Sequence, residues 1–324
     1  MKRLSRKLLS FMIIALLIAL LADLAISKGL TKTERGHFYT MNKLMNDTIN
    51  ADIIVLGNSR ASCSYQPEVL DSILGVNTWN LGVSGQPFGV SYLRWRLYRR
   101  NNKPPKLLIV NMDYAELEVV NNGFEREQYY PYMHDVLVKP YLDLYGFSWA
   151  DRYIPMYRYR GDYKLMGIGL TEWFGLRHDT KGDYVKGYSN ENRVWDGEKL
   201  ERVLQEGVVK DHGNPKAVWL LEALLKEAKA NKTRVVFVYA PLFSSLKEHL
   251  DEADSQRAYQ ALAEKYDVPI VDFSTMEFCG DTGYFNNANH VNSKGALKFS
   301  VALACRLDSW GFLPAKESKN SLAQ

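Results

Sequence analysis

The sequence of 324 residues predicts an α/β three-layer sandwich with a parallel sheet, preceded by one transmembrane helix. The first observation is a series of short, continuous Val/Ile/Leu runs, which are typical of strands buried on both faces. The second is that helical segments separate these runs, as the crossovers between parallel strands require. The third is a long apolar segment at the start of the chain. The composition agrees, because 46% hydrophobic residues can build a sizeable core.

The amino-terminal segment, residues 1–27, has the pattern of a signal-anchor. Four basic residues precede an apolar run from Leu8 to Ile26, which only Ser10 and Asp23 interrupt. About 20 apolar residues span a bilayer, and basic flanks stay cytoplasmic. We therefore expect a single-pass protein of a bacterial inner or cytoplasmic membrane, with its main domain facing the periplasm or the extracellular side. The alternative is a cleaved signal peptide with a poor processing site at residues 19–22.

Several classes of partner and cofactor are not expected from the composition. The net charge of +4 equals the charge of the four basic residues in the arm, so residues 8–324 sum to zero and no nucleic-acid partner is implied. Cys63, Cys279 and Cys305 are too few for a disulfide framework, although one bond plus a free thiol stays open. No metal or cofactor is expected, because histidine pairs at metal-site spacing, a P-loop and a dinucleotide fingerprint are all missing from the sequence.

The elements follow in order along the chain. Polar residues 28–50 show no strong period and are predicted to be a stalk. A strand–helix alternation follows, with strand Asp52–Leu56, helix Pro67–Leu74, strand Val76–Leu81, helix Gly89–Asn101 and strand Lys106–Met112. It resumes with helix Pro215–Ala230, strand Arg234–Tyr239, helix Ser255–Tyr266, strand Val268–Val271 and helix Ser293–Trp310. These elements predict one domain over residues 51–312, followed by a flexible tail at residues 313–324.

Residues 115–214 break the alternation and are rich in tyrosine and tryptophan. Because the sheet pattern continues on either side, we interpret this stretch as an insertion rather than a separate domain. Its aromatic residues fit a cap with its own aromatic core. They also fit a groove of aromatic platforms for sugars. Both interpretations stay open at the level of the sequence.

A candidate nucleophile follows the first predicted strand. The run Ile53–Leu56 ends at Gly57, and Ser59 comes two residues later. In an open parallel sheet, ligands bind at the carboxyl ends of the strands. Gly57 permits a sharp turn, and the residues after Ser59 can begin a helix whose amides face an oxyanion. The alternative is that Ser59 is an ordinary helix cap.

A candidate general base lies more than 200 residues further along the chain. His290 sits between a polar loop and the helix that opens at Asn292 and Ser293. Its ring could therefore point back over the edge of the sheet. A serine and a histidine are the pair that nucleophilic acyl transfer uses, so the two positions predict a shared site.

Three segments resemble blocks of the SGNH/GDSL hydrolase superfamily. Gly57–Arg60 resembles the first block and Asn80–Gly85 the second. Asn287–Ala296 resembles the last block, usually written D-x-x-H-x-N-x-x-G-A. The resemblance is greatest to the membrane-anchored branch that acts on cell-envelope polymers, including the DltD proteins and the alginate O-acetylation proteins of the AlgX and AlgJ type. It covers roughly residues 52–112 and 215–310 and leaves the insertion unmatched.

The resemblance implies roles for particular residues. Ser59 would be the nucleophile, His290 the base, and the amides of Ser59 and Gly85 would form the oxyanion hole. The family's acid falls at Asn287, where an amide can orient the histidine but adds no countercharge. Asp281, the nearest upstream carboxylate, is a candidate replacement.

The third block of the family supplies an oxyanion-hole asparagine after the third strand. In this chain Asn111 or Asp113 could occupy that place. We take Asn111 as the candidate. The G-x-N-D motif that is usual for this block is absent from the sequence.

The expected function is an O-acyltransferase or esterase that acts on an envelope polysaccharide. An acyl donor and the polysaccharide would be its substrates, and the resemblance implies a polytopic membrane-bound O-acyltransferase as a partner. A second hypothesis is a catalytically degenerate module that binds a glycan or scaffolds such a partner, which Asn287 favours. A general secreted lipase or carbohydrate esterase is a third.

Overall fold

The computed structural model describes residues 2–113, 117, 125–176, 184–190, 192–210 and 213–312. It divides into two compact units. The N-terminal unit combines Met1–Asp47 with Asn121–Gly182, and the sheet unit combines Thr48–Val120 with Asp183–Gln324. The predicted tail at residues 313–324 lies outside the described residues.

The α-helices of the described part are divided between the two units, with α1, α2, α6 and α7 in the N-terminal unit and the others in the sheet unit. They are α1 (Lys2–Leu30), α2 (Gly36–Asn46), α3 (Ser59–Ser64), α4 (Pro67–Leu74), α5 (Phe88–Asn101), α6 (Trp149–Tyr153), α7 (Tyr163–Trp173), α8 (Glu198–Glu206), α9 (Pro215–Ala230), α10 (Ser244–Lys247), α11 (Ala253–Tyr266) and α12 (Ser293–Ser309). Short 3-10 helices occur at Arg126–Tyr132, Lys139–Tyr145, Tyr157–Tyr159, Glu277–Gly280 and Thr282–Tyr284.

Five parallel strands form the central sheet. They are β1 (Ile53–Leu56), β2 (Thr78–Asn80), β3 (Leu107–Met112), β4 (Arg234–Tyr239) and β5 (Ile270–Asp272). Their spatial order is β2-β1-β3-β4-β5, and every pairing is parallel. This is the flavodoxin-like order of doubly wound sheets. Two-residue and three-residue strands form three separate ribbons, Tyr184–Val185 with Tyr188–Ser189, Val209–Lys210 with Leu250–Asp251, and Phe285–Asn287 with His290–Val291.

Helices cover the sheet on both faces, which confirms the predicted three-layer sandwich. On one face, Ile53 and Val55 of β1 belong to a buried cluster with Phe299 and Leu303 of α12. On the other, Phe237 of β4 packs edge-to-face on a tyrosine of α11 at 5.4 Å between ring centroids. Alternate residues of one strand thus pack against the helix layers on opposite faces of the sheet. Both faces are apolar, which is why the strands are mainly continuous apolar runs in the sequence.

The predicted elements of the sheet unit are all present, and their ends differ from the prediction by at most two residues. Their boundaries follow from capping chemistry. Pro67 and Pro215 begin α4 and α9, where proline has no hydrogen bond to lose. Gly75 ends α4 in the left-handed conformation at φ 68°, which glycine adopts without strain.

The predicted stalk at residues 28–50 differs from the structure, which folds residues 28–47 into the N-terminal unit. Helix α2 buries Phe38, Met41 and Leu44. The hydroxyl of Tyr132 donates a hydrogen bond to Asn42 Oδ1 at 2.7 Å. These contacts join residues about 90 positions apart, so the local sequence pattern carried no sign of them.

The predicted single insertion at residues 115–214 also differs from the structure. Its described first part, residues 125–176, belongs to the N-terminal unit, whereas residues 184–210 and 213–214 belong to the sheet unit. The first part has a buried aromatic centre, in which Tyr130 lies 5.5 Å from Tyr159 and 5.8 Å from Phe147 between ring centroids. An aromatic core of this kind is one feature of the two alternatives that the sequence left open.

Helix α1 is long and apolar enough to be a membrane anchor or a signal sequence, with a mean hydropathy of 2.7 over its most apolar window. Only its last residues are buried, including Ile26, Gly29 and Leu30. The three cysteines are free thiols, of which Cys63 and Cys279 are buried and Cys305 is exposed.

Candidate active site

The turn after β1 presents Ser59 at the start of α3. Gly57 has φ +150°, and a Cβ there would lie 2.7 Å from Ala61 Cβ and 2.8 Å from Asn111 Cβ. Only glycine therefore allows β1 to end so close to α3 and β3. The side chain of Asn58 caps the helix by accepting a hydrogen bond from the amide of Arg60 at 3.0 Å. Ser59 is the first residue of α3, and its side chain stands at the carboxyl edge of the sheet.

His290 meets Ser59 across the fold. Its Nε2 lies 2.8 Å from Ser59 Oγ, which is hydrogen-bond distance for a serine–base pair. The histidine is carried by the short ribbon before α12, and Asn292 caps that helix by accepting from the amides of Lys294 and Gly295. A Cβ at Gly295 would collide with the carbonyl of Tyr284. The asparagine and glycine of the last block thus fix where the histidine stands.

Asn287 does not contact the imidazole ring. Its Oδ1 accepts hydrogen bonds from the backbone amides of Asn289 at 3.0 Å and His290 at 3.2 Å. This Asx-type turn orients the histidine backbone, which a carboxylate at the same position could also do. Asp281 is exposed, and its Oδ1 accepts from the amide of Gly283 at 2.8 Å. Within the described ranges, neither residue accepts a hydrogen bond from His290 Nδ1.

The second block lies beside the same edge. The amide of Leu81 donates to the carbonyl of Val55 at 2.8 Å, and that of Val83 donates to the carbonyl of Gly57 at 2.9 Å. The loop after β2 is therefore fastened to the turn that carries Ser59. Gly85 follows in the left-handed conformation at φ +63°. Its role in an oxyanion hole stays a prediction.

Asn111 is fully buried in β3. Its Oδ1 accepts from the hydroxyl of Tyr65 at 2.9 Å, and its Nδ2 donates to the carbonyl of Met112 at 3.3 Å. These contacts fill the space beneath Gly57. The role of Asn111 as an oxyanion donor stays a prediction as well.

A buried ion pair that the sequence did not single out supports the serine turn. Arg60, next to Ser59, donates to Asp113 Oδ2 at 3.0 Å, and both side chains are 2% exposed. The same guanidinium donates to the carbonyl of Ala240 at 2.5 Å and lies 4.9 Å from the ring of Tyr239. Arg60 thereby ties α3 to the ends of β3 and β4. A sequence signal was present, because Arg60 and Asp113 are charged residues that closely follow the apolar strands β1 and β3.

Two further cations reach the site from residues 193–199. The amide of Arg193 donates to Asn286 Oδ1 at 2.9 Å, and that of Asp196 donates to the carbonyl of Asn286 at 2.7 Å. This segment therefore pairs alongside the ribbon that carries His290. Burial and the charges of Arg202 and Arg60 lower the pKa of Lys199, which Asp113 opposes. Lys199 opens α8 near the serine–histidine pair, and no local pattern marked it.

The surroundings hold His290 in its neutral form. Burial, followed by the positive charges of Lys199 and Arg60, lowers its pKa from 6.5 to about 4, and Asp113 opposes the shift. A neutral imidazole can accept the Ser59 proton at neutral pH. The imidazolium that then forms is not stabilised by a carboxylate on Nδ1, because Nδ1 has no hydrogen-bond partner in the described part of the chain.

The groups at the site fit covalent acyl chemistry. Among the described residues, no group of three or more His, Cys, Asp or Glu side chains could hold a metal ion. The arrangement offers a hydroxyl, a base at 2.8 Å and glycine-rich loops at one sheet edge.

Comparison with known proteins gives structural neighbours only. No family model and no curated protein matches the chain. Similar solved structures include a GDSL-like lipase from Bacteroides thetaiotaomicron, with 14% identity, a TM-score of 0.36, and coverage of 79% of this chain and 88% of that chain. A protein provisionally described as an acylhydrolase of Bacteroides fragilis has 14% identity, a TM-score of 0.36, and coverage of 79% and 86%. A provisional GDSL-like lipase of Parabacteroides merdae has 13% identity, a TM-score of 0.38, and coverage of 83% and 99%.

Proposed function

We propose that this chain is a serine esterase or O-acyltransferase of the SGNH type. The observation that carries the proposal is the 2.8 Å contact between Ser59 Oγ and His290 Nε2, two groups that lie 231 residues apart. Both stand at the carboxyl edge of a parallel sheet, where doubly wound folds bind their ligands. The motif blocks that resemble the superfamily supply both residues.

The reaction would proceed in two steps. Ser59 Oγ attacks the ester carbonyl while His290 Nε2 takes the hydroxyl proton, and the oxyanion is held by the amides of Ser59 and Gly85. The tetrahedral species collapses, the ester bond breaks, and the leaving alcohol takes the proton from His290. An acceptor hydroxyl or water then gives its proton to His290 and attacks the acyl-serine. When this second tetrahedral species collapses, the bond to Ser59 Oγ breaks and His290 returns the proton to Ser59.

The acceptor would be a cell-envelope polysaccharide. Helix α1 supports this choice, because a tethered enzyme meets both a membrane-delivered acyl donor and a nascent polymer on one side of the membrane. We place the sheet unit on the periplasmic or extracellular side and include a polytopic membrane-bound O-acyltransferase as the source of the acyl group. Asn111 would assist as a third oxyanion donor.

A second candidate is a degenerate module that binds a glycan or scaffolds a membrane acyltransferase. The observation that favours it is the lack of an acceptor for His290 Nδ1 in the described ranges, together with the amide at Asn287. Positive charges around the imidazole also favour this second candidate, since they destabilise the imidazolium that the reaction would form. The two candidates differ in whether Ser59 is acylated and deacylated.

Turnover of 4-nitrophenyl acetate, with and without a soluble oligosaccharide acceptor, separates the candidates. The wild type should release 4-nitrophenol and pass acetyl groups to the acceptor. The turnover rate of Ser59→Ala should be lower by at least about 10³-fold, because the nucleophile is removed. The matched control is Ser72→Ala, an exposed serine of α4.

Equal rates in wild type, Ser59→Ala and the control would leave only the binding module. Rapid hydrolysis that no acceptor diverts would instead indicate a general esterase rather than a transferase.

A further inference from the structure

The exposure of side chains changes along α1 near Asp23, and this position along the helix is called here the boundary level. The large apolar side chains from Leu8 to Leu24 are exposed, whereas Ile26, Gly29 and Leu30 are buried in the unit. The apolar run Leu8–Ile26 makes about 28 Å of helix at about 1.5 Å per residue, close to the thickness of a hydrocarbon core. If α1 spans a membrane, the outer boundary therefore lies in the turn from Asp23 to Ile26.

Residues 156–159, which belong to the second chain segment of the unit, contact α1 at this level. The Asp23 carboxylate is ion-paired with Arg158, and it accepts a hydrogen bond from the amide of Met156 at 2.8 Å. One turn further along, the hydroxyls of Ser27 and Tyr159 lie 2.7 Å apart. Residues 156–159 thus stand where the apolar span ends, and the charge of Asp23 is neutralised there.

An unusual number of large side chains is exposed next to this level. Residues 149–163, called here the interfacial segment, expose Trp149 (68%), Tyr153 (50%), Ile154 (42%), Tyr157 (37%) and Tyr163 (80%). Trp and Tyr prefer the membrane–water interface, because their rings are apolar and their N–H or O–H groups are polar. In water the same exposure would be unfavourable.

A cavity of about 690 Å³ lies between the interfacial segment and α1. Leu20, Leu21 and Ile154 line its apolar part, and Lys28, His134 and Arg152 line its polar part. The apolar part is continuous with the exposed face of the span, and the basic part is further along α1. This is the order in which a phospholipid presents its acyl chains and its phosphate. Lys28 has no ion-pair partner among the described residues.

We propose that the interfacial segment is a second membrane contact and that this cavity binds an anionic phospholipid. The phosphate lies against Lys28 and Arg152, and the upper acyl chains lie against Leu20 and Leu21. Basic side chains near an anionic membrane surface attract its headgroups. The inference requires α1 in a bilayer and is independent of the chemistry at Ser59.

Depth measurement on the full chain in nanodiscs tests the first half. Trp149→Cys and Phe174→Cys are each combined with Cys305→Ser and labelled with a nitroxide, since Cys63 and Cys279 are buried. Phe174 is a matched control with 66% exposure, next to Trp173, whose ring lies 5.4 Å from Lys32 Nζ. Lys32 lies beyond the end of α1, so position 174 should stand about 10 Å further from the boundary than position 149. The label at 149 should collide with oxygen more than with an aqueous nickel complex, and the label at 174 should show the reverse.

Lipid selectivity tests the second half. The bound fraction of spin-labelled phosphatidylglycerol is compared with that of spin-labelled phosphatidylcholine around the wild type, Lys28→Gln/Arg152→Gln and the control Lys226→Gln. The wild type and the control should prefer the anionic lipid several-fold, and the double variant should lose most of this preference. Equal binding of both lipids by the wild type, an unchanged preference in a double variant with wild-type circular dichroism, or aqueous collision at position 149 would overturn the proposal.

Discussion

Each of the two compact units contains an Arg–Asp pair, and the two pairs differ in their surroundings. Arg60 and Asp113 are both 2% exposed and lie among strand ends beside Ser59. Arg158 and Asp23 are 9% and 15% exposed and lie where α1 leaves the N-terminal unit. A fully buried pair is costly to break, because the remaining charge has no solvent. The first pair is therefore costly to break, whereas the second pair joins the apolar helix α1 to residues 156–159.

The packing of the two units differs in the same way. In the sheet unit, aliphatic side chains on parallel strands fill both faces, and each strand is buried by its neighbours. In the N-terminal unit, α1 and α7 cross at Gly29 and Gly169, where their backbones touch. A crossing that close depends on two small residues rather than on a broad apolar face. The difference teaches that broad apolar packing holds the sheet unit together, whereas the helix crossing depends on the close approach of two backbones.

The largest stability effect is expected for Asp113→Asn. It leaves the buried Arg60 guanidinium without its countercharge, which costs about 3–5 kcal/mol in comparable buried pairs. Urea unfolding of the intact chain in detergent, followed in the sheet unit, measures it. The control is Asp254→Asn, whose exposed pair with Arg257 should cost less than about 1 kcal/mol. Equal costs for both variants would contradict the account of the catalytic edge.

A smaller effect on stability is expected for alanine substitutions at two glycines of α7, and its sign should differ between them. Alanine at Gly169 would place its Cβ 2.7 Å from the carbonyl oxygen of Ile26 and push α1 away, whereas Gly167 has open space. Gly169→Ala should destabilise the N-terminal unit by roughly 1–3 kcal/mol. Gly167→Ala should stabilise it by up to about 1 kcal/mol through helix propensity. Thermal unfolding of both variants measures the difference, and the same sign for both would show that the crossing is not tight.

The sheet unit could be predicted from sequence because its signals are local. Strands such as β1 are buried along their whole length and consist of unbroken apolar runs. Gly57 and Gly295 stand at the turn after β1 and in the first turn of α12, where the glycine itself signals the end of one element or the start of the next. The pairing of Ser59 with His290 then followed from the topology, since both residues end at one sheet edge.

The N-terminal unit could not be predicted in the same way, because its contacts join distant residues. Asp23 is 135 residues from Arg158, and Asn42 is 90 residues from Tyr132. Neither pair has a local period. Lys199 was missed for the same reason, since it reaches the site only because residues 193–196 pair with the His290 ribbon.

Asn287→Asp should raise kcat/KM by roughly tenfold. A carboxylate in this role is worth up to about 10⁴-fold, but Asn287 Oδ1 faces two backbone amides rather than the ring, so the gain is smaller. Ester turnover at pH 7 measures it. Asp281→Asn should change the rate less than about twofold, because its carboxylate is exposed and bound to the amide of Gly283. A collapse of activity in Asp281→Asn would instead assign the acid to that residue.

The smallest effect concerns the pH profile. Because His290 has a pKa of about 4, the acid limb of kcat/KM should fall near pH 4 rather than near 6.5. Lys199→Met removes a charge that lowers this pKa, so the limb should move to higher pH by roughly half a unit. Lys226→Met, a surface residue paired with Glu222, should leave the limb in place. Movement in the opposite direction would show that Lys199 does not act on His290.

The central claim is that the Ser59–His290 pair is chemically active, and covalent labelling tests it most directly. The intact chain is treated with a fluorophosphonate at neutral pH, and the adduct is located by peptide mass spectrometry. The account predicts one adduct on Ser59, strongly slowed in His290→Ala and absent in Ser59→Ala. A well-folded wild type that stays unlabelled, or an adduct that persists in Ser59→Ala, would contradict it.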